Sequence, residues 1–193
     1  MNQTRINKLK KRIKHHLDKE RFEHTLGVMY TAGALAMRYE VDIEKAMIAG
    51  VLHDCAKCLS SDKKIKLCET YGLEISDSER KNPGLLHAKL GAYLANVKYD
   101  IDDAFILDAI TYHTTGRPNM TLLDKILYIA DYIEPNRALA PNLARVRKLA
   151  FEDIDECLYV ILRDSLEYLK TKSEVIDPMT EQTYLYYKEH LQK

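Results

Sequence analysis

Apolar residues recur at intervals of three and four positions along almost the whole chain. Ile6, Leu9, Ile13 and Leu17 show this spacing near the start, and it predicts a first helix over residues 4–18. The alternation of apolar and polar residues that is typical of a half-buried strand is nearly absent. The sequence therefore predicts an all-α protein, a bundle of about nine or ten helices joined by short loops.

Capping residues, glycines and prolines predict where the other helices begin and end. The segment SDSERKNPG, residues 76–84, is expected to be an exposed loop. One helix is expected to stop at Glu134, because Pro135 disfavours a helical conformation in the residue before it. Asp42 is the predicted N-cap of a helix that runs to about Lys57, and Ser61 is the predicted N-cap of a helix that ends near Tyr71–Gly72. The other predicted helices cover residues 20–39, 85–97, 102–113 behind an Asp102–Asp103 cap, 120–134, and further segments after Asn142, the last opening at Asp177–Pro178.

No internal repeat, low-complexity tract or long linker divides the chain. We expect a single domain over residues 1–193, with a motif-bearing core at about 20–137 and C-terminal helices that pack on this core. The tyrosine-rich segment YLYYKEH, residues 184–190, is expected to pack on the domain, and a homodimer joined through it is the alternative.

The charge balance argues against two classes of partner. Lys plus Arg and Asp plus Glu both number 29, so no overall field favours nucleic acid or an anionic membrane. No apolar run approaches the ~20 residues that span a bilayer, and no signal peptide is recognisable, so we expect a cytoplasmic protein. The four cysteines are expected to be reduced thiols, since the C-x-x-C at residues 55–58 lacks the second ligand pair of a zinc site.

Polar residues interrupt apolar stretches at several predicted core positions. His53 and Asp54 lie in VLHDCAKCL, residues 51–59, and Asp131 lies in KILYIADYIEPNR, residues 125–137. Burying an imidazole or a carboxylate costs several kcal/mol unless each finds a strong partner, and a metal ion is one such partner. Of the seven histidines, three are expected at the surface, and four fall in separate predicted helices or at their ends beside small or apolar residues: His24, His53, His87 and His113.

Cationic residues lie beside three of these stretches. Arg21 precedes His24 by one helical turn, Lys57 follows His53 by one turn, and Arg137 comes after Asp131. The segment TTGRP follows His113 and offers hydroxyl, amide and guanidinium donors. Such groups beside a metal site favour a polyanionic ligand such as a phosphate chain.

The ordered set His24, His53–Asp54, Asp131 on a helical background resembles the HD superfamily of metal-dependent phosphohydrolases. The stretches RFEHTLGV, HDCAKC, LLHAKLGAYLA, YHTTGRP and KILYIADYIEPNR are together similar to the YqeK family of symmetrical diadenosine tetraphosphate hydrolases. This resemblance covers about residues 21–137. It implies an HD-domain helical bundle and cleavage of diadenosine tetraphosphate into two molecules of ADP by water attack on a phosphoanhydride.

The resemblance also implies roles for individual residues. One metal ion is expected on His24, His53, Asp54 and Asp131, and a second on His87, His113 and a bridging Asp54. Catalytic roles are expected for Asp54 and Lys57. Iron is the metal associated with this branch, whereas the ligand types alone are compatible with Fe, Mn, Zn, Ni or Co. Contacts to the substrate are expected from Arg21, Lys57, Thr114, Thr115, Gly116, Arg117 and Arg137.

Three alternatives stay open at this point. The same metal chemistry suits a nucleotidase or phosphodiesterase that acts on another nucleotide. A sensor that binds nucleotides without hydrolysing them is a second alternative, although an intact ligand set weighs against it. A helical interaction protein with histidines that serve only as core hydrogen-bond formers is the third, and it leaves several buried polar positions without a common partner.

Overall fold

The helical pattern of the sequence becomes eleven helices in the computed structural model, which describes residues 3–172 and 175–191. The all-α prediction is confirmed for these residues. None of the described helices has the length and apolar character needed to cross a membrane. In chain order the helices are α1 (Gln3–Lys14), α2 (Lys19–Arg38), α3 (Ile43–Leu52), α4 (Ser61–Thr70), α5 (Asp77–Lys81), α6 (Leu86–Tyr99), α7 (Ala104–Tyr112), α8 (Leu122–Ile133), α9 (Leu143–Glu152), α10 (Ile154–Thr171) and α11 (Pro178–Leu191).

Capping side chains start several helices where the sequence predicts a start. The carboxylate of Asp42 accepts a hydrogen bond from the backbone N–H of Lys45 and begins α3, as predicted. Asp103, the second residue of the predicted Asp102–Asp103 cap, begins α7. The prediction of Ser61 as the N-cap of α4 is wrong by one residue. The Ser60 hydroxyl accepts the capping hydrogen bond, from the backbone N–H of Lys63.

Two segments differ from the sequence prediction. Residues 76–84 are not loop throughout, because Ser76 and Glu79 form a reciprocal capping box that starts the five-residue helix α5. Helix α3 ends at Leu52 rather than near Lys57, because the chain tightens into turns with hydrogen bonds between residues three apart. His53 and Asp54 therefore lie in a turn beyond the helix.

Close packing of α2 and α3 forms the centre of the fold. A Cβ atom at Gly50 would come within 2.7 Å of the Cα of Met29, so the two backbones approach as closely as a glycine allows. The second face of α2 packs on α8, and α7 packs on α6 and α8. This arrangement places the N-terminal part of α2, the ends of α3 and α7, and the start of α6 around one point.

The last three helices cover one side of this central group. Helix α10 packs on α8, α9 and α11, and the Tyr187 hydroxyl in α11 accepts a hydrogen bond from the backbone N–H of Met120 at 2.9 Å. Buried apolar residues from α1 to α11 form one connected cluster. We therefore propose that the chain is a single domain with its C-terminal helices as part of the same core.

Candidate metal centre

Four separate elements bring four histidine rings together. His24 lies in α2, His53 follows the end of α3, His87 lies in the first turn of α6, and His113 follows the end of α7. The ring centroids of His53 and His113 are 5.0 Å apart, as are those of His87 and His113, and the His24 and His53 centroids are 5.4 Å apart. All four residues are at most 9% exposed, whereas the other three histidines are exposed, as predicted.

Three of these rings are oriented by the same local hydrogen bond. The Nδ1 atoms of His53, His87 and His113 lie 2.8, 2.6 and 2.7 Å from the backbone carbonyl oxygen of the residue three positions earlier. A carbonyl oxygen can only accept, so Nδ1 carries the proton and donates. The Nε2 lone pair of each ring is therefore left to face the space between the rings.

Several of the atoms that face this space are acceptors without a donor. The Nε2 atoms of His87 and His113 are 3.1 Å apart. Three further buried atoms, the Nε2 atoms of His24 and His53 and the Oδ1 atom of Asp54, have no hydrogen-bond partner in the described structure. Nitrogen and oxygen lone pairs held this close repel each other unless a proton or a metal ion lies between them.

Asp54 lies in the middle of the cluster. Its Oδ2 atom is 3.4 Å from the Nε2 atom of His53, and its Oδ1 atom is 3.3 Å from that of His87 and 3.7 Å from that of His113. Asp131, from α8, brings a second carboxylate to within 3.0 Å of the Nε2 atom of His24. Asp131 is partly exposed, where the sequence predicted burial, because it also lines a cavity.

The cluster attracts positive charge. Burial disfavours a charged imidazole at His53, yet the neighbouring Asp54 carboxylate raises the pKa of His53 above its usual value. Burial likewise opposes ionisation of Asp54, but interaction with the charged form of the neighbouring His53 ring holds the pKa of Asp54 well below its usual range. His87 differs, because burial and the charge of Lys57 lower the pKa of His87 to about 4 and leave the ring neutral near pH 7.

The donor atoms form two overlapping groups that fit a metal ion. One group is His24, His53 and Asp131, the other is His53, Asp54 and His113, and within each group the ligand atoms lie within 4.8 Å of one another. Imidazole and carboxylate ligands together suit Fe, Mn, Zn, Ni and Co. The described residues thus contain a His/Asp cluster that could bind metal.

Each of the three predicted cationic side chains touches this cluster. Arg21 donates to Asp54 Oδ2 at 2.9 Å, and Arg137 donates to Asp131 Oδ1 at 3.1 Å. The Nζ atom of Lys57 is 3.2 Å from the Nε2 atom of His87. Positive charge therefore surrounds the cluster on more than one side, as the sequence predicts.

The segment after His113 contributes one of its four predicted residues. The Thr114 hydroxyl lies 3.3 Å from the Nε2 atoms of His87 and His113. The backbone then turns at Gly116, which has a φ of +66° and faces Thr183 of α11. Beyond this turn Arg117 forms ion pairs with Asp124 at 2.8 Å and with Asp108 at 3.0 Å. Thr115, Gly116 and Arg117 do not line the cavity beside the cluster.

That cavity has a volume of about 550 Å³, within the range of small-molecule binding sites. Lys57, His113, Thr114, Asp131 and Arg137 form the part of its wall that belongs to the cluster. Much of the remaining wall is aromatic or aliphatic: Tyr128, Tyr132, Leu139, Tyr168, Leu169, Val175 and Ile176. The cavity thus joins a polar, cationic region to an apolar one.

Two parts of the site have no counterpart in the sequence prediction. The C-terminal helices were expected only to pack on the core, but residues of α10 and of 175–180 also form the cavity wall. Glu134 was predicted only as a helix end, yet it is 2% exposed and its Oε1 atom lies 3.2 Å from His24 Nδ1. Glu134 shares the sequence signal of Asp131, since both carboxylates lie among apolar residues in the stretch KILYIADYIEPNR.

The cysteines are free thiols, and none is arranged as a nucleophile. Cys55, Cys68 and Cys157 are buried, and burial raises the pKa of Cys55 to about 12. Cys58 is exposed and donates to the carboxylate of Asp18 at 3.4 Å. The C-x-x-C spacing therefore reflects one core thiol and one surface thiol.

Comparison with known proteins agrees with this geometry. The HD domain family matches residues 21–136. A Bacillus subtilis protein named bis(5'-nucleosyl)-tetraphosphatase, symmetrical, is 44% identical over 89% of this chain and 91% of its own. A Staphylococcus aureus protein of the same name is 35% identical over 94% of both chains. A crystal structure from Clostridium acetobutylicum, described as a predicted HD superfamily hydrolase involved in NAD metabolism, superimposes with a TM-score of 0.91 at 41% identity. The superposition covers 95% of this chain and 97% of that one.

The family match contains every histidine and aspartate of the cluster, and the relatives align beyond it over most of the chain. The chain belongs to the HD domain family and, within it, to the symmetrical bis(5'-nucleosyl)-tetraphosphatases.

Proposed function

We propose that this protein is a metal-dependent hydrolase that cleaves diadenosine tetraphosphate at its centre, with one water molecule consumed and two molecules of ADP released. The observation that carries the proposal is the set of facing acceptors around Asp54, which needs cations, beside a cavity with both a cationic and an apolar wall. The names of the relatives support the choice of substrate.

In this proposal the cluster holds two divalent ions. His24, His53, Asp54 and Asp131 would bind one ion, and His87, His113 and the shared Asp54 would bind the other. Two bound cations of this kind lower the pKa of water and polarise the phosphoryl group that is attacked. The Nδ1 hydrogen bonds of the histidines keep their Nε2 atoms in the ligand orientation, so little reorganisation is needed when the ions bind.

The cationic side chains would bind the phosphate chain. Lys57 and Arg137 line the cavity beside the cluster, and Arg21 contacts Asp54, so charges are available for the phosphates that flank the attacked one. Thr114 would add a hydroxyl at the same place. The proposal leaves out Thr115, Gly116 and Arg117, because Arg117 is already paired with Asp124 and the other two residues lie outside the cavity.

The apolar part of the cavity would hold one nucleoside. Tyr128, Tyr132 and Tyr168 offer flat surfaces to a base, and Leu139 and Val175 are exposed apolar residues of the same wall. Filling this space with a nucleoside excludes water from the cationic region, which strengthens the electrostatic interactions there.

Several finer points stay predictions. Iron is the favoured native metal, with Mn, Co, Ni and Zn as alternatives that the ligand types also accept. The cytoplasmic location and the homodimer alternative come from the sequence alone.

The test is product identification with a controlled metal. Protein purified without chelator or His-tag is analysed for metal content, then stripped and loaded with Fe, Mn or Co. Each form is incubated with diadenosine tetraphosphate in ¹⁸O-labelled water, and the products are separated by chromatography. We expect ADP as the sole nucleotide product, with one labelled oxygen for every two ADP.

Two other outcomes would contradict the proposal. ATP and AMP in equal amounts would mean asymmetric cleavage. Tight nucleotide binding without hydrolysis in every metal form would favour the sensor alternative.

A further inference from the structure

His24 is held differently from the other three histidines of the cluster. His53, His87 and His113 each donate from Nδ1 to a backbone carbonyl, which no single substitution can remove. His24 lies in the second turn of α2, where the carbonyl three residues earlier is engaged in a helical hydrogen bond. The partner of its Nδ1 is instead a side chain, the carboxylate of Glu134, at 3.2 Å.

The Glu134 carboxylate is itself fixed in place. Glu134 follows the last residue of α8, and its Oε2 atom accepts the backbone N–H of Asn136 at 2.8 Å, so Oε1 remains directed at His24. Arg147 of α9 donates to the carbonyl oxygens of Ile133 and Glu134 at 3.0 and 2.8 Å and thereby holds the turn that carries the carboxylate. Glu134 is 2% exposed, so the contact between its carboxylate and His24 is shielded from water.

A glycine in α2 leaves the space for this carboxylate. Gly27 lies one turn after His24 on the same helical face. A Cβ atom at position 27 would collide with Glu134 Oε2, so even alanine would force the carboxylate to move. A glycine inside a helix is otherwise unfavourable, and here the close approach of Glu134 explains it.

We propose that Glu134 is a positioning residue that fixes the orientation of His24 and keeps its proton on Nδ1, and that Gly27 provides the room for it. A hydrogen-bond partner of this kind fixes the ring orientation and raises the basicity of the imidazole as a ligand. The proposal rests on the proposed metal centre. It adds that the ion on His24, His53 and Asp131 depends on a side chain outside the ligand set.

The first test uses the metal-free protein at a fixed pH of 8. Long-range ¹H–¹⁵N correlation spectra show which ring nitrogen of a histidine carries a proton, and the His24 signals are identified by their absence in His24→Asn. In the wild-type protein we expect a proton on Nδ1, where it faces Glu134. In Glu134→Ala we expect the proton on Nε2 instead, because the Asp131 carboxylate 3.0 Å from Nε2 is then the carboxylate that remains beside the ring. An unchanged His24 spectrum in Glu134→Ala would overturn the proposal.

The second test measures metal binding by titration with Mn²⁺. Loss of a partner outside the ligand set typically weakens metal affinity by 10–100-fold, and we expect about this loss in Glu134→Ala for one of the two ions only. Glu79→Ala is the matched control, since Glu79 is also a buried glutamate but pairs with Lys89. Equal affinities in Glu134→Ala and wild type, or an equal loss in Glu79→Ala, would overturn the proposal.

Gly27→Ala separates positioning from helix stability. Alanine favours a helix more than glycine does, so a purely structural effect would leave metal binding unchanged or improve it. We expect Gly27→Ala to weaken the same ion by about the same 10–100-fold factor, and Gly27→Ala/Glu134→Ala to be no weaker than either single variant. Additive losses in the double variant would show that the two residues act separately.

Failure of this inference can be told from failure of the proposed function. If the wild-type protein binds no Mn²⁺, the metal centre is wrong, whereas the His24 spectra still test the role of Glu134. If the wild type binds two ions and Glu134→Ala binds them equally well, only the positioning role is wrong.

Discussion

Replacing Asp54 with asparagine keeps the shape of the side chain and removes one negative charge from the centre of the cluster. In the structure the Asp54 carboxylate contacts Arg21 at 2.9 Å and lies within 3.8 Å of the Nε2 atoms of all four clustered histidines. The amide of Asp54→Asn would offer a weaker metal ligand and would leave Arg21 without its partner. We expect an effect on metal binding that is much larger than the effect on the metal-free fold.

The two effects can be estimated separately. Breaking a fully buried ion pair costs ~3–5 kcal/mol, but the Arg21 side chain is 33% exposed and can turn to water, so we expect a loss of ~1–2 kcal/mol in the metal-free protein. A ligand at 100 times its dissociation constant stabilises the fold by ~2.7 kcal/mol. Two ions therefore add ~5 kcal/mol to the wild-type protein, which corresponds to a rise in Tm of ~10–20 °C for a chain of this size.

The assay is thermal unfolding with and without Mn²⁺, combined with ADP release from diadenosine tetraphosphate. We expect the metal-dependent rise in Tm to fall to less than half in Asp54→Asn and the turnover to be lost. Asp100→Asn is the control, because it makes the same chemical change at a largely exposed side chain. Asp100 has a left-handed backbone conformation, which asparagine also adopts readily. A wild-type rise in Tm together with full turnover in Asp54→Asn would refute the assignment.

Three further predictions follow from the site. Lys57→Ala should keep both ions and lower kcat by ~10²–10³-fold, because Lys57 is proposed to contact phosphate rather than metal; parallel Mn²⁺ titration and kinetics would check this. The pKa of His87 is about 4 in the folded protein and ~6.5 in the unfolded chain. Between about pH 6.5 and pH 4 only the unfolded chain binds a proton at His87, so the free energy of unfolding falls as the pH falls. Urea unfolding of the metal-free protein from pH 7.5 to pH 5 should therefore show that the free energy of unfolding falls by ~2 kcal/mol more in the wild type than in His87→Gln. A thiol reagent should label Cys58 alone in the native protein, because the other three thiols are buried, and mass spectrometry would locate the label.

Each of these predictions has a control or a contrary result. Lys63→Ala removes an exposed lysine from the neighbouring helix α4 and should leave kcat unchanged. An equal pH dependence in the wild type and His87→Gln would show that His87 is not held neutral by the fold. Labelling of Cys55 at the rate of Cys58 would contradict the packing around the end of α3.

Much of the site could be recognised in the sequence because its signals are local. A histidine or aspartate in an apolar helix is conspicuous in one dimension, since the helical period predicts which positions are buried. Three of the four histidines are also oriented by the carbonyl three residues earlier, which is a short-range contact. The sequence predicts that the four histidines meet because all four interrupt apolar stretches, and in the structure their rings lie side by side.

Other parts of the site depend on contacts between distant segments. Arg117 and Lys57 look alike in the sequence as cations beside a histidine, but Arg117 finds Asp124 and Asp108 after the turn at Gly116, whereas Lys57 reaches His87. Glu134 and Gly27 lie more than a hundred positions apart, and nothing local shows that a Cβ atom on one would meet the carboxylate of the other.

The sequence by itself determined most of the helices, some of their caps and the identity of the clustered histidines and aspartates, because helical periodicity and capping are short-range effects. Only the tertiary structure decided which cations face the cluster, how His24 is oriented and where the cavity lies. The reason is geometric: a cavity is the space left where helices do not touch, and that space depends on how the surrounding helices pack against one another rather than on the sequence of any one of them.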